Sequence, residues 1–239
     1  MSDIKISLVI PAYNEEKYIG ECLRAAKASG QFYEIIVVDN ASTDKTREEC
    51  EKIDGVKVVR ENNKGITWAR QCGYKAATGD VLAYVDADTR MPSEWFSAVQ
   101  YAFTENTSLA VLSGPYIYYD DTPVNQLIVK YLWWYIFAFP LYWWVGYMTV
   151  GGNFAIKKDV LDRMGGFDTA VQFYGEDTNI ARRASEHGSV KFSPTLIMYT
   201  SNRRMKGQGI LKTGWLYAIN FLSEVYRKKP VTMEYIDIR

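Results

Sequence analysis

The first 113 residues alternate short apolar runs with longer amphipathic stretches, and this alternation constrains the fold more than any other feature. Residues 6–11, 34–39 (EIIVVD), 56–60 (VKVVR), 81–85 (VLAYV) and 109–113 read as strands. Residues 15–29, 43–51, 66–77 and 93–103 read as helices, the third ending at Thr78-Gly79 and the last starting from Ser93 as N-cap. Strands that are apolar throughout are buried on both faces, and helical crossovers between them make their pairing parallel. The expectation is an α/β fold with a mostly parallel sheet flanked by helices.

Length and charge narrow the function classes. A chain of 239 residues suits one domain, 1–239. Lys+Arg and Asp+Glu are 28 each, so no net field points to nucleic acid. Cys22, Cys50 and Cys72 are odd in number and widely spaced, without a zinc-type pair or disulfide framework, which suits a reducing compartment. The start MSDIKISLVIPAYNEE lacks a basic stretch followed by an apolar run, so no signal peptide is read there and the expected location is cytoplasmic.

In an open α/β sheet, ligands bind beyond the carboxyl ends of the strands. Three such ends are polar and acidic: Pro11-Ala12-Tyr13-Asn14-Glu15, Asp39-Asn40-Ala41-Ser42 and Asp86-Ala87-Asp88. Ordinary turn chemistry accounts for any one of them, and less well for all three. Asp86 and Asp88, two carboxylates just past an apolar strand, suit a hard divalent cation that completes its shell with substrate phosphates. Glu176-Asp177 heads the periodic run DTNIARRASEHG. There the pair either caps a helix dipole or supplies a general base. Arg203 and Arg204 either contact phosphate or form a solvated basic turn, and Lys206, Gly207 and Gly209 predict a mobile loop around them.

PAYNEE, VVDNASTDKT, NKGITWARQCG, YVDAD, GGNFAIKKDVLDRMGGFD and GEDTNIARR occur in that order. Together they resemble the family 2 glycosyltransferases of GT-A fold, from about Ser7 to Arg204. The resemblance implies an inverting transferase that uses Mg²⁺ or Mn²⁺ and a nucleotide-diphosphate sugar. By the same resemblance Pro11, Ala12, Tyr13, Glu15 and Lys64 line the donor pocket, and Asp39 accepts from the base. Arg70 faces the base and the diphosphate, and Asp86 lies near ribose and metal. Asp88 ligates the metal, and Arg203 and Arg204 close over the diphosphate. Asp177 is the catalytic base with Glu176 beside it, and Gly151, Gly152 and Asn153 shape the acceptor side. UDP-sugars are favoured, with GDP-mannose as the alternative. Some relatives place a metal-binding His where Ser201-Asn202 stand, and His187, the only histidine, lies at a helix end. The metal is therefore expected to have few protein ligands.

A nucleotidyltransferase would carry a glycine-rich basic loop after the first strand, and a dehydrogenase GxGxxG; PAYNEE is neither. The non-enzymatic alternative is an inactive transferase scaffold acting as a membrane-associated binding protein, against which the intact Asp86, Asp88 and Asp177 set speaks.

Four of the seven tryptophans fall between 133 and 144, inside the uncharged run 131–150. As a helix this run would reach about 30 Å, enough to cross a bilayer. A single crossing would put Asp88 and Asp177 on opposite sides of the membrane. Pro140 predicts a break into two pieces, and Trp and Tyr favour the headgroup region. Segment 124–150 is therefore expected to lie in a membrane interface, with a core helix pair or dimer contact as the alternative. Segment 208–229 reads as an amphipathic helix ending in Arg227-Lys228-Lys229, suited either to anionic headgroups or to core packing. The interfacial reading points to a lipid-linked acceptor at the inner face of the cell membrane.

Overall fold

The computed structural model describes residues 4–171 and 173–232. The expected domain limits at 1 and 239 lie outside them. The strands are β1 (Ile6–Ala12), β2 (Glu34–Asn40), β3 (Val56–Glu61), β4 (Val81–Val85), β5 (Leu109–Ser113), β6 (Tyr116–Tyr118), β7 (Asn153–Lys157), β8 (Ser189–Phe192) and β9 (Met198–Thr200). Seven form one sheet in the order β3-β2-β1-β4-β7-β5-β8, and β6 pairs with β9 in parallel. Only β7 runs against its sheet neighbours β4 and β5. This strand was not anticipated from the sequence, and it matters most for the site. Because β7 is antiparallel, it starts at the edge where the parallel strands end.

Helices α1 (Ile19–Ser29), α2 (Thr46–Glu51), α3 (Ile66–Ala76) and α4 (Trp95–Glu105) connect the first five strands. Alternate residues of each strand enter opposite layers. Leu8, Ile10, Val37 and Ala83 pack with Leu23, Trp95 and Val99, whereas Val9, Ile36, Leu82 and Tyr84 pack with Ala69, Val160 and Ile180. A sheet covered on both faces is why these strands read as unbroken apolar runs.

Two helix starts differ from the expectation. α1 begins at Ile19 rather than 15, because Thr46 Oγ1 accepts the Glu15 N–H (2.7 Å) and Asn14 takes a left-handed φ of 53°. α4 begins at Trp95 with Glu94 as N-cap. The Ser93 hydroxyl donates to the Glu94 carboxylate (3.0 Å) and caps nothing.

The aromatic segment is continuously helical up to Val145: α5 (Pro123–Leu127), a π-helical run (Ile128–Ala138) and α6 (Phe139–Val145). Pro140 does not divide it. The Phe139 N–H reaches back five residues to Trp134 O, while the Gly146 N–H reaches back four to Tyr142 O. Pro140 sits at this change of register, where a missing N–H costs least. Among the described residues no helix is long and apolar enough to cross a membrane.

The remaining helices are α7 (Lys158–Met164), α8 (Glu176–Ser185), α9 (Arg203–Gln208) and α10 (Ile210–Arg227). The expected mobile loop at 203–209 is thus a short helix. The Lys206 N–H donates to Asn202 O (3.0 Å), and its ammonium is held by Asp120 (3.2 Å). α10 docks on α8 through polar groups. Glu224, fully buried, accepts from Asn179 (3.0 Å) and Arg182 (3.1 Å).

Candidate active site

The carboxyl edge of the sheet gathers residues from both halves of the chain. Asp86 follows β4, and Gly152 precedes β7; the register Val85↔Asn153 sets the two opposite each other. A Cβ on Gly152 would fall inside the contact radii of both the Asp86 carboxylate and Tyr116 Oη, so only glycine permits this approach. Tyr116 Oη donates to Asp86 Oδ2 (2.8 Å). Tyr116 has no distinguishing position in the sequence, and nothing in its spacing would have found it.

Asp88 is buried next to Asp86. Its Oδ1 accepts from Thr200 Oγ1 (3.3 Å), and its Oδ2 lies 2.9 Å from Arg203 Nε. The same guanidinium donates through Nη2 to Glu15 Oε1 (2.5 Å). Burial pushes the Asp88 carboxyl up to about 7; Arg203 pulls it down, and the charges of Asp86 and Glu15 push it up again. Asp88 and Glu15 thus share one guanidinium, with Asp86 beside them. A hard divalent cation fits this charge deficit and this all-oxygen donor set. Among the described residues no three His, Cys, Asp or Glu side chains assemble a metal site, so a cation there would need phosphate or water for its remaining ligands.

On the opposite flank α8 presents Glu176 and Asp177 from its first turn. Glu176 is buried and paired with Arg70 of α3, whose guanidinium also donates to Gly151 O (2.6 Å). Burial pushes the Glu176 carboxyl above the ordinary value and Arg70 opposes it. Gly151 lies against this pair, since a Cβ there would stand 2.6 Å from Glu176 Oε1. Gly151, whose carbonyl accepts from Arg70, is followed by Gly152, which lies against Asp86, so the two acidic sites are neighbours across this glycine pair. Asp177 is half-buried. Its Oδ1 accepts the Thr178 N–H (2.8 Å), and Thr149 Oγ1 donates to its backbone carbonyl (2.7 Å). Burial raises its carboxyl, against the Thr178 N–H.

Other expected residues sort by contact. Tyr13 and Lys64 come together, with the ammonium 3.9 Å above the ring. Pro11 and Ala12 are buried at the end of β1. Asp39 is buried and held by Arg60 and the Ser42 N–H (3.0 Å). Arg204 lies over the Phe173 ring (4.4 Å), in the loop leading to Glu176.

Two expectations need correction. Arg70 does not face a nucleotide base; it is enclosed, and its contacts run to Glu176 and Gly151. Asn153 does not face an acceptor. It is fully buried, accepting from Trp95 Nε1 (2.8 Å) and donating to Leu196 O (2.7 Å) and Pro115 O (3.2 Å). A fully buried side chain with both amide N–H donors and an oxygen lone pair engaged by the scaffold is held away from any substrate.

A dolichol-phosphate mannosyltransferase of Pyrococcus furiosus is 34% identical over 114 residues, covering 45% of this chain and 32% of that protein. A glucosyl-dolichyl phosphate glucuronosyltransferase of Haloferax volcanii is 26% identical over 214 residues, covering 81% of this chain and 63% of the relative. The chain therefore spans less than two thirds of the length of either curated relative. Among solved structures, mannosyltransferase PcManGT from Pyrobaculum calidifontis in complex with GDP-Man and Mn²⁺ superposes with a TM-score of 0.68 at 21% identity, over 94% of this chain and 64% of that one. Glucosyl-3-phosphoglycerate synthase from Mycobacterium tuberculosis in complex with Mn²⁺, UDP and phosphoglyceric acid superposes at 0.64 with 17% identity, over 94% of this chain and 78% of its own. These likenesses establish the GT-A nucleotide-sugar transferase fold. The model described as "Glycosyl transferase family 2" matches residues 7–165, about two thirds of the chain, and with that match the chain belongs to glycosyl transferase family 2.

Proposed function

We propose that this chain is a cation-dependent, inverting glycosyltransferase that moves a sugar from a nucleotide diphosphate to an acceptor hydroxyl. The observation that carries the reading is the Gly151-Gly152 pair, where the buried Arg70–Glu176 ion pair and the Asp86 carboxylate after β4 lie against adjacent glycines. UDP-sugars are the first candidates and GDP-mannose the alternative.

In this reading Pro11, Ala12, Tyr13, Lys64 and Asp39 frame the nucleotide, and Arg203 and Arg204 meet the diphosphate. Asp86 and Asp88 would hold Mg²⁺ or Mn²⁺, which when bound neutralises charge developing on the leaving diphosphate. Asp177, the less buried of the two α8 carboxylates, takes the proton of the acceptor hydroxyl. Attack on the anomeric carbon from the face opposite the diphosphate inverts its configuration. Glu176, paired with Arg70, positions this flank and does not touch substrate. Gly151 and Gly152 keep the approach to the acceptor side narrow.

The acceptor is read as lipid-linked and the working surface as the inner face of the cell membrane. Two relatives carry dolichol phosphate in their names. Val124, Leu127, Ile128, Tyr131 and Tyr135 form one exposed helical stripe. α10 turns its polar residues Thr213, Asn220 and Glu224 inward and its Trp215, Leu222 and Tyr226 outward, the reverse of a water-facing helix. Trp144 and Tyr226 touch (6.0 Å between ring centres) and join the two surfaces. Arg227, Lys228 and Lys229 extend this surface with positive charge suited to anionic headgroups.

The test is nucleotide release from a panel of UDP- and GDP-sugars with Mn²⁺ or Mg²⁺, with and without EDTA, and with a polyprenyl phosphate in detergent. Turnover that EDTA abolishes supports the transferase. Nucleotide-sugar binding without turnover on any donor would favour the inactive membrane-associated binding protein instead.

A further inference from the structure

We propose that Arg203 is a counter-cation to the donor-site carboxylates, and that it must leave Asp88 and Glu15 before a divalent cation can enter. The proposal rests on the reading that Asp86 and Asp88 hold that cation.

Both oxygens of Asp88 are engaged in this structure, Oδ1 by Thr200 Oγ1 (3.3 Å) and Oδ2 by Arg203 Nε (2.9 Å). Arg203 Nη2 also holds Glu15 Oε1 (2.5 Å), and the Tyr18 ring lies 4.9 Å from the guanidinium carbon. A guanidinium offers only N–H donors, so it cannot share in ligating a metal. It is always charged, so a divalent ion brought to the same carboxylate oxygen meets a positive charge at close range in a poorly screened place. Arg203 and the metal are therefore alternatives on Asp88 Oδ2.

The sequence around Arg203 suits an exchange of partners by the side chain alone. Its backbone is anchored. Asp120 accepts the Asn202 N–H (2.6 Å) and the Ser201 hydroxyl (3.1 Å), and Asp121 accepts from Asn202 Nδ2 (2.8 Å). The long arginine stem can swing from this fixed base, and a diphosphate arriving beside it offers the bidentate oxygens that a guanidinium matches best. Metal alone must displace Arg203 with nothing to receive it; metal with nucleotide gives it a new partner. The two ligands should therefore bind cooperatively, and by linkage each should strengthen the other equally.

The test is titration of Mn²⁺ against the full chain, followed by the electron paramagnetic resonance signal of the free ion, first without nucleotide and then with UDP or GDP. Arg203→Gln should bind Mn²⁺ alone about tenfold more tightly than wild type, a typical size for coupling between sites. Arg203→Lys keeps the positive charge and should stay near wild type. UDP or GDP should tighten Mn²⁺ binding in wild type more than in Arg203→Gln. Should Arg203→Gln fail to fold, Arg203→Met, neutral and of similar length, replaces it. Unchanged or weaker Mn²⁺ binding by the neutral variant overturns the proposal while leaving the cation site standing. Absence of Mn²⁺ binding by wild type with or without either nucleotide removes the cation site and the proposal with it.

Discussion

Arg70 of α3 and Glu176 of α8, 106 residues apart in sequence, form an ion pair with side-chain exposures of only 2% and 9%. Removing one partner leaves the other buried and uncompensated, at about 3–5 kcal/mol. Arg70→Ala should therefore lower the urea midpoint by that equivalent and disable transfer. Arg70→Ala combined with Glu176→Gln should recover part of the stability but not the activity. A cost for the single variant below about 1 kcal/mol would show that the pair is solvated and holds nothing.

Asp177→Asn separates chemistry from binding. Loss of a general base typically slows a reaction by about 10²–10⁴-fold. Transfer should fall within that range while the nucleotide-sugar dissociation constant, measured calorimetrically, stays close to wild type. Full turnover in this variant would remove Asp177 from the base role.

The pH profile carries a sign that can be checked. Burial raises the Asp177 carboxyl above its ordinary 3.8, against the Thr178 N–H. Since the base acts deprotonated, transfer should be complete above the folded-state pKa and fall away below it, with the acid limb above pH 3.8. The same shift acts on stability in the opposite sense. The folded state binds this proton more tightly than the unfolded one, so the buried charge erodes stability as pH rises from 3.8 through the folded pKa. Asp177→Asn should accordingly melt at a higher temperature than wild type at pH 7, with the difference vanishing toward pH 4. Equal melting temperatures at pH 7 would contradict the raised value.

Gly152→Ala tests the close approach of β7 to Asp86. The added methyl must displace both the Asp86 carboxylate and the Tyr116 hydroxyl. Overpacking of this kind costs about 1–3 kcal/mol. The expected outcome is a lower melting temperature together with weaker Mn²⁺ binding. An alanine variant with wild-type Mn²⁺ affinity would place Asp86 outside the cation site.

The aromatic surface can be tested without disturbing the core. Trp143, Trp144 and Trp215 are 80%, 61% and 68% exposed. Replacing all three by Ser should leave the melting temperature within a degree or two, because exposed side chains contribute little to folding. Flotation with vesicles containing anionic lipid should fall severalfold. Unchanged flotation would return these helices to a protein contact.

The local elements were legible in the sequence because they depend on patterns a few residues long. The runs at β1, β2, β4 and β5 match the strands closely, and the carboxylates at the ends of β1, β2 and β4 lie at one carboxyl edge of the sheet, since parallel strands end on the same side. Helix starts were less legible because the competing bonds come from elsewhere, as when Thr46 holds Glu15 out of α1. Only the tertiary structure decided how the two acidic sites are joined. β7 enters antiparallel between β4 and β5, and that pairing sets Gly152 against Asp86, spends Asn153 on the scaffold and brings Gly151 to Arg70. Which residues share a buried charge depends on strand order and on contacts across more than a hundred residues. No local propensity encodes such contacts, so Arg70 reads as a donor ligand in the sequence and stands as the buried partner of Glu176 in the fold.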